Sequence, residues 1–311
     1  MIDNQIQTYY FLGIGGIGMS ALARYFAAKG ARVLGYDRTP SPLTKELEAE
    51  GIAVQYDDCL DTVKALDIAN TIVVRTPAVP EDFAVYVWLR EQGFQILKRA
   101  EVLGLVTRSE RALCVAGTHG KTTTSTMLAH ILHQSHVGAN AFMGGIANNY
   151  GTNLLLDQAS DLVVVEADEF DRSFHHLTPY ISVITSMDPD HLDIYGTEEA
   201  YRESFMHYAS LVQEALVVKS GLTFNVESLK AKVYTYAVGE QADFYADNVQ
   251  VQDGEIRFDF YTPMGKVADI QLGVPVWVNI ENGVAAMAVA WLMGVTDEEL
   301  RSGMNTFSGV Y

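Results

Sequence analysis

The chain has 311 residues, with 39 Asp and Glu against 21 Lys and Arg, a formal net charge of −18, and a 49% apolar content. That length exceeds one ordinary core and predicts two domains, and the apolar share excludes wholesale disorder. The acidity argues against a general nucleic-acid or anionic-membrane binder, so any phosphate must be gripped locally by backbone N–H groups, a helix N-terminus or one placed Lys.

Tyr9-Tyr10-Phe11-Leu12-Gly13-Ile14 is a short apolar run stopped by glycines and reads as a buried strand. Residues 19–29 carry apolar side chains at helical spacing and end at Gly30. A strand over 32–36, a helix over 43–50, a strand over 71–74, a helix over 83–92 and a strand over 94–97 follow. Such alternation predicts a parallel sheet with right-handed crossovers. The pattern restarts near Arg111 with a strand over 112–116, a loop over 117–120 and a helix over 122–134. Strands over 161–165 and 181–185, a helix over 198–210 and a strand over 215–218 come next. Between 233 and 274 short alternating strands with Gly254 and Gly265 at turns predict an antiparallel patch, before helices over 281–293 and 297–305. The boundary falls near Thr107–Arg111, which makes residues 1–108 a Rossmann-like domain and 109–311 a second α/β domain. Cys59 and Cys114 form neither a disulfide framework nor a zinc site, which fits a reducing cytoplasm. No apolar run reaches the roughly 18 residues of a membrane span, and the N-terminus lacks the basic and apolar regions of a signal peptide.

Two glycine loops carry the chemistry. Gly13-Ile14-Gly15-Gly16-Ile17-Gly18 follows a strand and opens a helix, so backbone N–H groups and the helix dipole can approach a diphosphate. Asp37 closes the next strand, where a ribose-binding carboxylate belongs. Alone, this reads as a nicotinamide or flavin dinucleotide loop, although it suits any nucleoside diphosphate. Gly117-Thr118-His119-Gly120-Lys121-Thr122-Thr123 has the form of a P-loop, with Val115 in place of the usual first glycine. Lys121 suits the β/γ-phosphates and Thr122 suits Mg²⁺. Glu166-Ala167-Asp168-Glu169 and Asp188-Pro189-Asp190-His191 each end a strand, where ligands of a parallel sheet bind, and a carboxylate there could complete the Mg²⁺ shell. His130, His133 and His136 read as the surface of one helix's last turns rather than a metal site. A dehydrogenase needs no ATP loop, and a kinase needs no second nucleotide fold.

Together these motifs resemble the Mur ligase family, the ATP-dependent amide-forming enzymes of peptidoglycan synthesis. Gly13–Gly18, Gly117–Thr124, Glu166–Phe174 and Thr185–Tyr195 carry the resemblance, with support from Arg99-Ala100-Glu101 and Asn279-Ile280-Glu281-Asn282. The resemblance implies that the first domain binds UDP-N-acetylmuramate through Gly13, Gly15, Gly16, Ile17, Gly18, Asp37, Thr76 and Ala78. It implies ATP on Gly117, Thr118, His119, Gly120, Lys121, Thr122 and Thr123, with Asn279 and Asn282 on the adenine side, one Mg²⁺ on Thr122 and Glu166, and a second on Glu166 and His191. Lys121, Thr122, Glu166 and His191 are then the catalytic set, L-alanine is the acceptor, and the protein is a bacterial cytoplasmic monomer or weak homodimer. Val278 stands where many relatives carry His, Ser186 where Asn is usual, and Phe205 where several sister ligases carry a carbamylated Lys. The last residues, Phe307 to Tyr311, fall where the resemblance places the hinge into a third, amino-acid-binding domain. The expectation is a fragment that binds the UDP-sugar but turns over poorly. The competing readings are a recycling ligase that attaches a preformed tripeptide to the same UDP-sugar and an NAD-dependent oxidoreductase.

Overall fold

A computed structural model describes residues 6–190 and 192–311. The chain divides into two compact units, Met1–Ser109 and Glu110–Tyr311. The first runs β1 Thr8–Leu12, α1 Ile17–Ala28, β2 Arg32–Tyr36, α2 Pro42–Ala49, β3 Ala53–Gln55, α3 Asp61–Lys64, β4 Thr71–Arg75, α4 Ala84–Glu91, β5 Gln95–Lys98 and α5 Arg99–Ser109. Its sheet is parallel throughout, in the order β3-β2-β1-β4-β5. Tyr9 to Leu12 are all buried, because the central strand is covered on both faces. Tyr9 stacks on Phe26 of α1, while Tyr10 and Leu12 join Val73, Val85 and Leu89 in a core on the other face. α2 starts where the sequence places Ser41-Pro42: Ser41 accepts from the Thr44 N–H, Thr44 returns the bond, and Pro42 fills the first turn. The strand order reverses between β1 and β4, so the crevice at their C-terminal ends receives the loop after β1.

The second unit runs β6 Arg111–Ala116, α6 Lys121–Gln134, β7 Asn140–Ala147, β8 Thr152–Leu155, β9 Leu162–Glu166, β10 Pro179–Ile184, α7 Leu192–Tyr195, α8 Glu198–Leu211 and β11 Ala215–Lys219. It closes with β12 Lys232–Val238, β13 Phe244–Gln252, β14 Glu255–Thr262, β15 Gly265–Gln271, α9 Val278–Leu292 and α10 Asp297–Thr306. Among the described residues the sheet order is β15-β14-β13-β12-β11-β10-β6-β9-β7-β8. The Ala-rich α9 is buried from Val284 to Ala290 and packs with α6 into the main core. No helix of the described residues is long and apolar enough to cross a membrane.

Several elements differ from the sequence reading. β12 pairs in parallel with β11 and with β13, so the antiparallel patch is confined to β13–β15; alternation signals a strand but not its direction. α5, β3, β7 and β8 escape the sequence reading: α5 follows β5 with no turn residue between them, and Gly144-Gly145 gives β7 the look of a loop. His130 is fully buried rather than on the helix surface, bonded through its two ring nitrogens to Tyr150 Oη and Thr306 Oγ1, and His136 lies beyond the end of α6.

Candidate active site

In the second unit the strand order switches at β6, which has β9 on one side and β10 on the other. Three C-terminal strand ends therefore converge: the 117–120 loop, Glu166 and the residues after Ile184. Gly120 caps α6 with φ of +80°, and a Cβ there would lie 2.8 Å from Asn282 Oδ1, so both backbone and space require glycine. Neighbours pin the loop. Thr185 Oγ1 donates to the His119 carbonyl at 2.5 Å, His119 N–H donates to Ser186 Oγ at 2.9 Å, and Thr118 Oγ1 donates to the Asp188 carbonyl at 2.8 Å. Ser186, where the resemblance expects Asn, thus has a partner in the loop itself.

Lys121 Nζ donates to the Gly117 carbonyl at 2.8 Å and lies 2.8 and 3.0 Å from the two carboxylate oxygens of Glu169. Thr122 Oγ1 donates to Glu166 Oε1 at 3.2 Å. Glu166 Oε2 is buried and accepts no hydrogen bond among the described residues. Burial pushes the Glu166 carboxyl up, against the pull of the Thr122 hydrogen bond and the Lys121 charge. Space beside this carboxylate is kept by Gly144 of β7, where a Cβ would lie 2.7 Å from Glu166 Cδ and 3.0 Å from Thr122 Oγ1. A buried carboxylate oxygen without a hydrogen bond, beside a threonine hydroxyl, fits a hard divalent cation with oxygen ligands. Among the described residues no three His, Cys, Asp or Glu gather as a metal site, so such an ion would also draw on phosphate and water. His191, the third implied ligand, lies outside the described residues.

Asn279 and Asn282 form a relay: Asn279 Nδ2 donates to the Val274 carbonyl, Asn282 Nδ2 to Asn279 Oδ1, and Asn282 Oδ1 accepts from Thr124 Oγ1. The pair therefore ties the start of α9 to the P-loop helix. Asp168 accepts from the Phe170 N–H, and Asp171 and Arg172 sit at φ of 51° and 56°, a sparsely used conformation for such residues. The Arg172 guanidinium lies 4.7 Å over the Tyr195 ring. His175 Nε2 meets Ser204 Oγ at 2.9 Å, and burial lowers its pKa. Phe205 is fully buried, its ring centroid 5.1 Å from those of Phe174 and Tyr201.

In the first unit the glycine loop closes onto β2. Gly13 and Ile14 donate to the Tyr36 carbonyl, and the Gly15 N–H donates to Asp37 Oδ2 at 2.7 Å. A side chain on Gly15 would meet Asp37 and Thr44, and one on Gly13 would strike Thr76. The Thr76 N–H donates to Leu12, and Ala78 sits exposed in the turn from Thr76 to Val79. Gly16 and Ile17 are exposed at the start of α1. Gly18 makes room for Arg99, whose guanidinium carbon would lie 2.7 Å from a Cβ at that position. Arg99 thus brings a positive charge to the first turn of α1, the place suited to a diphosphate. Its motif is visible in the sequence; its approach to Gly18, 81 positions away, is not.

Two family models account for these two units: "Mur ligase family, catalytic domain" matches residues 8–111 and "Mur ligase middle domain" matches residues 115–290. The chain belongs to the Mur ligase family. This Mur ligase chain is 57% identical over 312 residues to the UDP-N-acetylmuramate–L-alanine ligase of Phocaeicola vulgatus, covering 99% of this chain and 68% of the relative. It is 58% identical to the enzyme of that name from Parabacteroides distasonis, covering 98% and 67%. The chain thus spans about two thirds of the length of these curated relatives. Among solved structures, it superposes on the UDP-N-acetylmuramate:L-alanyl-γ-D-glutamyl-meso-diaminopimelate ligase of Neisseria meningitides with a TM-score of 0.83 at 25% identity, covering 98% of this chain and 99% of that one. The UDP-N-acetylmuramate-alanine ligase of Thermotoga maritima gives a TM-score of 0.79 at 25% identity, covering 98% and 69%.

Proposed function

We propose that this chain carries the UDP-sugar and ATP units of an ATP-dependent ligase that joins L-alanine to UDP-N-acetylmuramate. The observation that carries the reading is identity of 57% and 58%, over essentially the whole chain, to ligases of that name. The Neisseria structure keeps the tripeptide-adding reading in view, but at 25% identity it is the more distant relation.

The first unit binds the UDP-sugar, with the loop 13–18, Asp37, Thr76 and Ala78 along the crevice and Arg99 facing the diphosphate. The hydrogen bond from Gly15 to Asp37 ties this carboxylate to the loop, which leaves the helix N-terminus and Arg99 as the anion grip. The second unit holds the triphosphate on the 117–123 loop. Lys121 offsets repulsion between the incoming muramyl carboxylate and the γ-phosphate. Thr122 and Glu166 would hold one Mg²⁺, and Glu166 with His191 a second, and the metal would supply charge neutralisation on the phosphates. The carboxylate oxygen attacks the γ-phosphorus and ADP leaves; the alanine amine then attacks the acyl carbon, and phosphate leaves as the amine loses a proton. Positioning and charge neutralisation suffice, without a covalent enzyme nucleophile. The enzyme acts in the bacterial cytoplasm as a monomer or weak homodimer. The first unit binds UDP-N-acetylmuramate and the second binds MgATP.

Thermal melts test the reading. UDP-N-acetylmuramate is expected to raise the melting temperature and NAD to leave it unchanged. Protection by NAD alone would overturn the reading in favour of an oxidoreductase.

A further inference from the structure

Glu169 is a charged side chain of the nucleotide pocket that the chemistry above leaves without a task. It is 1% exposed, and a buried carboxylate is retained only with compensation. The compensation is the charge of Lys121, whose Nζ donates to Oε1 at 3.0 Å and lies 2.8 Å from Oε2, an oxygen that accepts no hydrogen bond among the described residues. The same ammonium donates to the Gly117 carbonyl at 2.8 Å. An ammonium has three donors, so one remains for a phosphate oxygen.

The backbone of Glu169 is anchored as firmly as its side chain. Its carbonyl accepts from Tyr195 Oη at 2.5 Å and from the Arg172 N–H at 3.0 Å. The chain then turns through two consecutive left-handed residues, Asp171 and Arg172, a conformation held only where surrounding structure demands it. Glu169 is thus a rigid post, while a free Lys side chain would be among the most mobile.

We propose that Glu169 is a positioning residue of the ATP site, which holds Lys121 over the loop so that a triphosphate meets an ammonium already in place. A ligand that finds its partner ordered does not lose affinity to ordering it. This rests on the ATP reading of the second unit.

Calorimetric titration of the whole 311-residue chain with MgATP tests it, using wild type, Glu169→Gln, Lys121→Met and the double variant. Glu169→Gln is expected to weaken MgATP about tenfold when Lys121 is present, and less than twofold in the Lys121→Met background. Equal weakening in both backgrounds would overturn the proposal, because a merely structural role acts without Lys121. So would unchanged or tighter binding by Glu169→Gln, which would make the carboxylate a competitor of the phosphates. If Glu169→Gln does not fold, Glu169→Asp carries the same comparison, with the same outcomes for and against. Absence of any MgATP binding by wild type overturns the ATP reading and this proposal with it, and is distinguishable from a wild type that binds normally beside an unaffected variant.

Discussion

Substituting Gly144 by Ala probes the proposed Mg²⁺ site without altering either of its proposed ligands Thr122 and Glu166. The new Cβ would lie 2.7 Å from Glu166 Cδ, where unstrained carbon atoms stay about 3.5–4.0 Å apart. The nearest clash is with Glu166 Oε2, 1.9 Å from that Cβ, so the carboxylate must retreat by roughly 1.5 Å, several times the ~0.2 Å tolerance of a metal–ligand distance. Gly144 has no left-handed backbone and is exposed, so the substitution is expected to cost the fold less than about 1 kcal/mol. The account predicts that Gly144→Ala weakens MgATP by about 10–100-fold while leaving metal-free ATP within about twofold. Calorimetric titration with and without Mg²⁺ reads both numbers on the same preparation. Wild-type affinity for MgATP in the variant would refute the assignment of Glu166 to the metal.

Burial lowers His130 from 6.5 to about 4 in the folded chain, with the charge of His133 a smaller cause, so the unfolded chain takes up the proton first. Stability from this group is therefore complete above pH 6.5 and declines as pH falls toward 4; at pH 5 the loss is about 2 kcal/mol, which urea unfolding should detect in wild type and not in His130→Gln. Parallel pH dependence in the two proteins would contradict this. Phe205→Lys, which restores the residue type of sister ligases, buries an ammonium among the Phe174 and Tyr201 rings and is expected to cost at least about 3 kcal/mol by denaturant titration. A stability within 1 kcal/mol of wild type, on the order of a tolerated substitution, would show that the cluster opens to solvent. Arg99→Ala is expected to weaken UDP-N-acetylmuramate about tenfold or more and to leave MgATP unchanged; equal affinity for the UDP-sugar would remove Arg99 from the site.

The parts legible in the sequence are those whose physics is local. The apolar runs of β1, β2, β4, β6 and β11 declare buried strands, and the glycines at their ends declare close backbone approach. The two loops and Glu166 could be assigned to strand ends for the same reason. What escaped is non-local. Glu169 meets Lys121 across 48 positions, and Thr122 meets Glu166 across 44, through the choice of β9 as the neighbour of β6. Gly144 carries meaning only once β7 lies beside β9. His130 sits on a helix stretch whose partners, Tyr150 and Thr306, come from a turn and a helix far along the chain, so its burial leaves no periodic trace. Strand direction in β12 was hidden because parallel and antiparallel strands alternate alike.

The central claim is two separate ligand sites on one chain, one for a UDP-sugar and one for MgATP. Calorimetric titration of wild type and Lys121→Ala with UDP-N-acetylmuramate and then with MgATP tests it most directly. The account predicts saturable binding of both ligands by wild type, each unaffected in stoichiometry by the other, and loss of MgATP alone in Lys121→Ala. Competition between the two ligands for one site, or loss of UDP-N-acetylmuramate together with MgATP in the variant, would contradict it.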